Sequence, residues 1–426
     1  MIRMLPIILL LTATPAQAEI TPAELDGLAA EAQPQVVEWR RWFHENPELS
    51  NREMQTGERV AAILRELGLE LQTGIAHTGV VAVIEGGKPG PLVAIRSDMD
   101  GLPVTEETGL PFASTARSEY NGQEVGVMHA CGHDAHMAML LGAAQVLNAV
   151  KDELAGSVML IFQPAEEGPP AGEKGGASLM LEEGIWADGK PEAVFGIHVG
   201  IGVPGGEIAV RPGPLMAASD RYQITVNGRQ THGARPWDGV DPIVVAAQIV
   251  LGLQTIASRQ VDVTLAPSIV SVGRISGGIR NNVIPDSVEL EGTIRSFDPA
   301  MREDIHRRIE RTARGIAESA GATIDWELEL GNPPVINAPD LLARMMPTLQ
   351  RVTTVHDVTP QTVAEDFSEY AIRTPSLFLF LGNVPPDADP NQAPANHSPM
   401  FDMHEPNLET GVRIFSHLVV DYLQGE

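Results

Sequence analysis

The sequence has few of the residues that would indicate a disulfide scaffold or a nucleic-acid partner. It contains 1 Cys among 426 residues, so no disulfide can form within the chain. Its 29 Lys and Arg residues face 56 Asp and Glu residues, and the formal net charge at pH 7 is -27. Because phosphate binding needs basic patches, this balance argues against nucleic acid as a partner. The chain exceeds the usual size of a single hydrophobic core, so two domains are expected.

Beyond its first residues the sequence also lacks an apolar run that would span a membrane. Arg3 is followed by an apolar run at residues 5–11, and Ala16-Gln17-Ala18 has the small-x-small pattern of a cleavage site. The run is shorter than the roughly 20 residues that a transmembrane anchor needs. We therefore expect residues 1–18 to be a signal peptide cleaved near Ala18. The mature protein is expected to be periplasmic or secreted, with no membrane anchor.

What the sequence does contain is a set of potential metal ligands in short motifs punctuated by Gly or Pro. The set spans more than half of the chain and consists of Cys131, His133, Glu167, His198 and His397. Thiolate, imidazole and carboxylate are ligands of first-row divalent metals. Five protein ligands exceed what one tetrahedral zinc with an open position requires, so the set predicts a pair of metals. Glu166 adds a carboxylate beside Glu167 that is not needed as a ligand. A metal pair with such a carboxylate next to it can activate water.

Each of these residues has a simpler interpretation when it is taken alone. Cys131 has the alternative of a buried apolar thiol, and Glu166-Glu167 that of a solvated acidic pair in a loop. His198 and His397 have the alternative of ordinary surface or core histidines. The metal-site interpretation rests on membership of the set and, for Cys131, on the Gly-containing turn that it shares with His133.

The spacing of apolar residues predicts an α/β fold for the first part of the chain. Alternating helices and strands between residues 22 and 210 are typical of a largely parallel sheet covered on both faces. The motif residues follow predicted strands, where open α/β sheets place their ligands. The predicted helices are 34–45, 53–68 and 134–150, and the predicted strands are 80–85, 92–97, 157–162 and 193–198.

The rest of the chain predicts an inserted second domain. Residues 214–330 have the strand-helix-strand-strand-helix-strand order of the ferredoxin-like motif. Residues 331–426 return to helix-strand alternation, with a strand at 376–381 and a helix at 408–423. Because His397 lies in this last part, it can join the other ligands only if residues 331–426 complete the first domain. The expected architecture is a catalytic, metal-binding α/β domain of residues 19–213 and 331–426 with an α+β lid domain of residues 214–330 inserted.

Eight short motifs occur together along the chain. They are 96–103 (RSDMDGLP), 131–134 (CGHD), 163–168 (QPAEEG), 196–198 (GIH), 228–234 (GRQTHGA), 282–285 (NVIP), 365–367 (EDF) and 396–399 (NHSP). Taken together they resemble the motifs of the co-catalytic metallopeptidases that include aminoacylases and carboxypeptidase G, in the amidohydrolase branch of hippurate hydrolases and plant auxin-conjugate hydrolases. The resemblance implies two metals in an α/β domain, an inserted lid that often mediates dimerisation, and hydrolysis of an amide between an acyl group and an amino acid.

The resemblance also implies roles for the two adjacent glutamates. Glu167 matches the family's carboxylate ligand. Glu166 matches the general base, which takes a proton from the attacking water and passes it to the leaving amine. His129 and His136 flank the Cys131 motif and are expected to support the ligands rather than to bind metal.

Two lid residues carry implied roles in substrate binding. His232 resembles a histidine that stabilises the tetrahedral oxyanion, often from a partner subunit. Asn282 resembles an Asn that contacts substrate, and its alternative is a turn residue.

Three departures from the family pattern bear on these roles. Asp98-Met99-Asp100 stands where the wider family has His-x-Asp, and the amidohydrolase branch uses the Cys-x-His pair instead. Gln230-Thr231 replaces the small residues that are commoner in the lid loop, and Trp237 stands where relatives often have His. The last two differences concern the substrate pocket rather than the chemistry.

The expected function is therefore metal-dependent hydrolysis of hippurate-like or related N-acyl amino acids to a carboxylic acid and an amino acid. Zinc or manganese is the expected metal, nickel and cobalt also suit these ligands, and a homodimer or higher homo-oligomer is expected. A dipeptidase or small-peptide carboxypeptidase would use the same site. An exported solute-binding protein would share the two-domain α/β pattern, but it would not need five ligands beside a free glutamate.

Overall fold

The structure is a computed structural model that describes residues 20–200 and 202–425. The expected signal peptide at residues 1–18 lies outside the described residues. The α-helices of the described residues are α1 (Pro22–Glu45), α2 (Met54–Glu66), α3 (His133–Ala149), α4 (Gly176–Glu182), α5 (Pro242–Thr255), α6 (Pro299–Ser319), α7 (Pro339–Val352), α8 (Ser368–Ala371) and α9 (Leu408–Gln424).

The strands come in two large groups and several short pairs. They are β1 (Leu71–Ile75), β2 (Gly79–Glu85), β3 (Lys88–Asp98), β4 (Arg117–Tyr120), β5 (Gln123–Gly126), β6 (Ala155–Gln163), β7 (Ala193–Val199), β8 (Ile208–Val210), β9 (Gly213–Met216), β10 (Ala218–Asn227), β11 (Thr231–His232), β12 (Ser268–Ser276), β13 (Val283–Ile284), β14 (Ser287–Ser296), β15 (Thr323–Leu330), β16 (Val335–Asn337), β17 (Val355–Asp357) and β18 (Ser376–Leu381).

The larger sheet has eight strands in the order β1-β2-β6-β3-β7-β18-β8-β17. Its centre is parallel, since β3 pairs in parallel with both β6 and β7, and β7 pairs in parallel with β18. The hairpin of β1 and β2 adds an antiparallel edge. The predicted α/β class with a mostly parallel sheet is confirmed.

Helices cover both faces of this sheet, as the uninterrupted apolar strands predicted. Along β3, Val93 and Ile95 pack into the cluster that contains α1, α3 and α9. Ala94, between them, packs into the opposite cluster with residues of α4 and α8. Residues after 331 complete the sheet, because β18 lies between β7 and β8 and places Phe380 opposite His198.

Residues 218–330, which we call the inserted unit, have a separate hydrophobic core. Their four-stranded antiparallel sheet has the order β12-β14-β10-β15, with the first strand in the middle as in ferredoxin-like folds. Burial alternates along β14, so that one face of the sheet packs on the helices. The expectation that no later run is apolar enough to span a membrane is wrong: helix α5 and the turn after it, Pro242–Gln260, form the one stretch of the described residues that is long and apolar enough to do so. Its buried residues, among them Val245, Ile249 and Leu253, belong to the core of the inserted unit.

One predicted helix boundary is wrong. The sequence predicted a helix over residues 34–45, although a Pro inside a helix normally interrupts it. The structure shows α1 beginning at Pro22 and running through Pro34, with Thr21 as its N-cap. Burial of Ala29, Ala32 and Val36 against the core compensates for the hydrogen bond that Pro34 cannot donate.

A buried carboxylate ties together the two chain crossings of the inserted unit. Asp220, near the start of β10, accepts hydrogen bonds from Arg302 Nε at 2.8 Å and from the backbone N–H of Gly331 at 3.1 Å. His306 Nε2 lies 2.7 Å from the same carboxylate. Asp220 therefore joins the first strand of the unit, helix α6 and the returning chain.

This contact gives a prediction for stability. Burial opposes the charged form of Asp220, but the hydrogen bonds from Arg302 and His306 outweigh it and lower its pKa from 3.8 to about 2. Because the folded pKa lies below the unfolded one, the stabilisation is present above about pH 4 and is lost as the pH falls through about 2.

At pH 7, Asp220→Asn should lower the free energy of unfolding of the inserted unit by about 1.5–3 kcal/mol, measured by hydrogen exchange of β10. Glu310→Gln, which breaks an exposed pair with Arg314, is the control and should have little effect; equal effects of the two substitutions would contradict the prediction.

Candidate metal centre

The structure brings the five predicted ligands together at the carboxyl end of the parallel strands. Cys131 Sγ lies 3.4 Å from His198 Nε2 and 3.3 Å from His397 Nε2, and His397 Nε2 lies 3.1 Å from Glu167 Oε1. The potential donor atoms form two overlapping groups, Cys131 with His133 and His198, and Cys131 with Glu167 and His397. Within each group the atoms lie within 4.8 Å of one another. The thiol is common to both groups, an arrangement that suits two cations side by side.

Local backbone geometry places the residues of the first group. Gly132 separates Cys131 from His133 with a φ of 98°, and a Cβ atom there would lie 2.2 Å from Val199 Cγ2. Only glycine combines a positive φ with the lack of a Cβ atom that this position at the start of α3 requires. His198 belongs to β7, beside the same Val199.

The loop that carries His397 is bound to the first group through its backbone. The N–H of His397, whose φ is 70°, donates to the carbonyl of Ala130 at 2.7 Å. Asn396 Nδ2 donates to the carbonyls of Cys131 at 3.0 Å and Val199 at 3.1 Å. These bonds hold a side chain from residues beyond 331 against the start of α3.

The protonation of the imidazoles fits cations at this site. His133 Nδ1 lies 2.8 Å from the carbonyl of Asp100, and His198 Nδ1 lies 2.9 Å from the carbonyl of Val199. A carbonyl only accepts, so in the neutral ring each Nδ1 carries the proton and each Nε2 has the electron pair that a metal ion would take in place of a second proton. Among the described residues, the buried Nε2 of His133 has no hydrogen-bond partner. A metal ion would satisfy it.

The electrostatics favour positive charge at the same place. Burial opposes a charged imidazole at His133, but Asp98 and Asp100 outweigh it and raise the pKa of His133 to about 10. Burial and the carboxylates of Glu167 and Glu166 raise the pKa of the Cys131 thiol well above its usual range. A thiolate is therefore stable here only beside added positive charge, and divalent cations supply it. The residues present fit a pair of such ions.

Asp100 positions both the ligands and the glutamate pair, a role that sequence reasoning missed. Its carboxylate accepts from Ser50 Oγ at 2.7 Å and from the N–H groups of Glu166 at 3.1 Å and Glu167 at 3.0 Å. His133 Nδ1 is bonded to the carbonyl of the same residue. The available signal was the Asp-x-Asp pattern at the end of a predicted strand, which places both carboxylates on one edge of the sheet.

A second missed group is the buried guanidinium of Arg96. It lies 2.8 Å from Asp98 and 2.9 Å from both Glu365 and Asp366. Carboxylate oxygens of Glu365, Asp366 and Glu166 lie within 4.8 Å of one another. Arg96 therefore offsets negative charge on the side of Glu166 that faces away from the ligands. Arg96 begins the motif 96–103, which was visible in the sequence. Its partner Asp366, however, lies 270 residues further along the chain, and no local pattern predicts that contact.

His136 and His129, which flank the Cys131 motif in the sequence, differ in their surroundings. His136 Nδ1 lies 2.6 Å from Asp98, and His136 Nε2 accepts from the N–H of Val199 at 2.9 Å. It thus links β3, α3 and β7 beneath the ligands. His129 is buried with no hydrogen-bond partner for either nitrogen among the described residues, and burial lowers its pKa to about 4.

The predicted lid residues lie together but apart from the ligands. His232 lies opposite Val283 in the ribbon of β11 and β13, and the N–H of Gly233 donates to the carbonyl of Asn282 at 2.8 Å. His232 and Asn282 are exposed, and within residues 20–200 and 202–425 no hydrogen bond or ion pair joins them to the five ligands. The N–H of Ala234 donates to His232 Nδ1 at 2.9 Å, so the neutral ring carries its proton on Nε2. That nitrogen is a free donor.

Comparisons with known proteins agree with this geometry. The model of peptidase family M20/M25/M40 matches residues 94–421. "Thermostable carboxypeptidase 2" of Saccharolobus solfataricus is 39% identical over 389 residues, covering 91% of this chain and 95% of its own. "N-acyl-L-amino acid amidohydrolase" of Geobacillus stearothermophilus is 41% identical over 319 residues, covering 75% and 82%. A crystal structure from Bacillus subtilis, described as a dinuclear metal binding peptidase of the M20 family, has a TM-score of 0.79 and 34% identity, and covers 93% of this chain and 99% of its own.

The shared thiol gives a prediction for metal binding. Cys131→Ser should bind less metal after dialysis, because a hydroxyl is a far poorer anionic ligand than a thiolate at neutral pH. Metal should also slow alkylation of Cys131, which is the only thiol in the chain. Equal alkylation rates in metal-free and metal-loaded protein would support a buried structural thiol.

Proposed function

Because the chain belongs to peptidase family M20/M25/M40 and is a metal-dependent hydrolase acting on amides, we propose that it hydrolyses N-acyl amino acids to a carboxylic acid and an amino acid. One observation carries the proposal. Glu166, a carboxylate outside the five-ligand set, lies beside the ligands with its Oε2 3.9 Å from His133 Nε2. The relative named N-acyl-L-amino acid amidohydrolase supports this substrate class.

Two divalent cations per subunit would be held by five residues: Cys131, His133, Glu167, His198 and His397. When bound, such a pair polarises a carbonyl and makes water more acidic. We propose zinc or manganese, with nickel or cobalt as further possibilities, because the ligands combine N, O and S donors.

Glu166 moves the proton in the proposed reaction. Its carboxylate takes one proton as the water oxygen attacks the amide carbon, and gives it to the nitrogen as the C–N bond breaks. Burial and the neighbouring carboxylate of Glu365 raise the pKa of Glu166 well above its ordinary value, while Arg96 acts in the opposite direction. A carboxyl with a raised pKa serves both as base and as acid near neutral pH.

A pocket beside the ligands offers room for the acyl group. It has a volume of about 340 Å³ and opens at Glu167. Leu102, Tyr120 and Pro170 contribute apolar surface to its lining. This surface favours aromatic or longer acyl groups over acetyl.

Small-peptide carboxypeptidase activity is the second candidate. The carboxypeptidase relative, at 39% identity over 91% of this chain, favours it. Both reactions cleave an amide next to an amino acid, so they differ only in what precedes the bond.

We further propose an exported homodimer that forms through the inserted unit. Export rests on the sequence pattern of residues 1–18. Dimerisation is supported by exposed apolar side chains on one part of the unit, around α5 and the outer strand β12: Val244, Leu251, Val263, Leu265 and Ile275. Exposed apolar surface is a common feature of subunit interfaces. His232 would then reach a site, its own or the partner's, as the unit closes.

Substrate panels test the function. We expect the metal-loaded protein to release amino acids from benzoyl, indoleacetyl or long-chain acyl conjugates faster than from dipeptides. Glu166→Gln should keep both metals and lose about 10²- to 10⁴-fold in kcat, because an amide cannot take the proton. Glu167→Gln is the matched control and should lose metal instead. Near-normal turnover by Glu166→Gln would remove Glu166 from the mechanism.

Subunit mixing tests the role of His232. His232→Ala should lower turnover more than metal binding, because it removes a contact made mainly in the transition state. If His232 acts across a dimer, mixing this protein with Glu166→Gln should restore partial activity, since some mixed dimers hold one intact site. No recovery, with subunit exchange confirmed by mass spectrometry, would place His232 in its own subunit's site or outside the chemistry.

A further inference from the structure

The turn that carries Glu166 and Glu167 is held in an unfavourable backbone conformation. Ala165, directly before them, has a φ of 54°, in the left-handed region that costs a non-glycine residue energy. The turn closes with a long contact of 3.4 Å from the N–H of Gly168 to the carbonyl of Ala165. Contacts from elsewhere must therefore maintain it.

Three successive backbone N–H groups of this turn donate to two buried carboxyl groups. Those of Glu166 and Glu167 donate to Asp100, and that of Ala165 donates to Glu53 Oε1 at 2.9 Å. Glu53 lies 112 residues away, directly before α2. Its other oxygen, Oε2, accepts from Thr78 Oγ1 at 2.8 Å. The Glu53 side chain is fully buried, so both oxygens are committed to these two partners.

We propose that Glu53 is a positioning residue for the hydrolysis proposed above. By accepting from Ala165, it fixes the strained turn and thereby aims Glu166 at the water and Glu167 at the metal. Asp100 shares this task, but it also orients His133, so its substitution would disturb a ligand directly. Within the part of the chain that the structure describes, no hydrogen bond or ion pair joins Glu53 to any of the five ligands, so its contribution can be measured separately.

The proposal requires a correctly placed acceptor rather than a negative charge. Burial and the nearby charge of Asp100 raise the pKa of Glu53 to about 8. In the protonated form Oε1 still accepts from Ala165, while the Oε2 hydroxyl donates to Thr78 Oγ1 in place of accepting from it. A neutral side chain of the same length can make the same two contacts. In Glu53→Gln the amide oxygen can accept from Ala165, while its NH₂ group donates to the Thr78 hydroxyl. Glu53→Asp keeps the carboxyl but is one methylene too short to reach.

The test compares these two substitutions in the metal-loaded, full-length protein. Glu53→Gln should keep a kcat close to that of the unchanged protein. Glu53→Asp should lose up to about 10²-fold in kcat, the scale of a misplacement of about 1 Å, with little change in KM and with two metals still bound at saturating metal. Thr78→Val is the control, because it removes the other partner of Glu53 and leaves the Ala165 contact in place; it should keep its kcat.

A second readout does not depend on any substrate. Because Glu167 follows Ala165 by two residues, Glu53→Asp should lose metal at a lower chelator concentration than Glu53→Gln does. If the unchanged protein cleaves no acyl amino acid or peptide, the proposed function fails, and the chelator titration alone decides the role of Glu53. Equal chelator resistance in the two variants, or equal kcat where there is activity, would overturn the proposal. Loss of kcat in Thr78→Val to the same extent as in Glu53→Asp would also overturn it, because it would show general destabilisation.

Discussion

Burial of negative charge at the end of the large sheet is the constraint on which the site depends. Asp98, Asp100, Glu365 and Asp366 are all nearly inaccessible to solvent, and ionised carboxylates in such a position are costly unless each is paired. Arg96 and the histidines supply part of the pairing. Beside Cys131 the carboxylates of Glu167 and Glu166 add further negative charge, which favours cations where the five predicted ligands meet. Metal binding and charge balance are thus two aspects of one arrangement.

The same carboxylates also set the geometry. Asp98 links Arg96 to His136, and Asp100 links His133 to the turn of the two glutamates. These carboxylates thus pair with positive charge and at the same time orient the groups to which they are hydrogen-bonded. The strained backbones at Ala165 and His397 persist because hydrogen bonds from separate segments hold them. Hydrogen bonds from distant segments thus fix the backbone at the site.

The inserted unit is held together by contacts other than those of the metal site. Its core is independent of the large sheet, and its attachment runs through two chain crossings tied by Asp220. His232 and Asn282 therefore belong to a body that can be displaced without disturbing the ligands. The N–H of Ala234 donates to His232 Nδ1, so the exposed neutral ring carries its donor on Nε2.

The sequence alone determined the class of the fold and predicted the five candidate ligands that the structure brings together. Apolar strands with helical intervals predicted the parallel sheet, and the ligands lay in short motifs whose residue types are those of a divalent metal site. These features are local, because burial of a strand and the chemistry of a side chain are visible within a few residues. The length of α1, the pairing of Arg96 with Glu365 and Asp366, and the reach of Glu53 to Ala165 were decided only in the tertiary structure. Those contacts join residues from 112 to about 270 positions apart, and strand order, which no local pattern encodes, determines which distant segments meet.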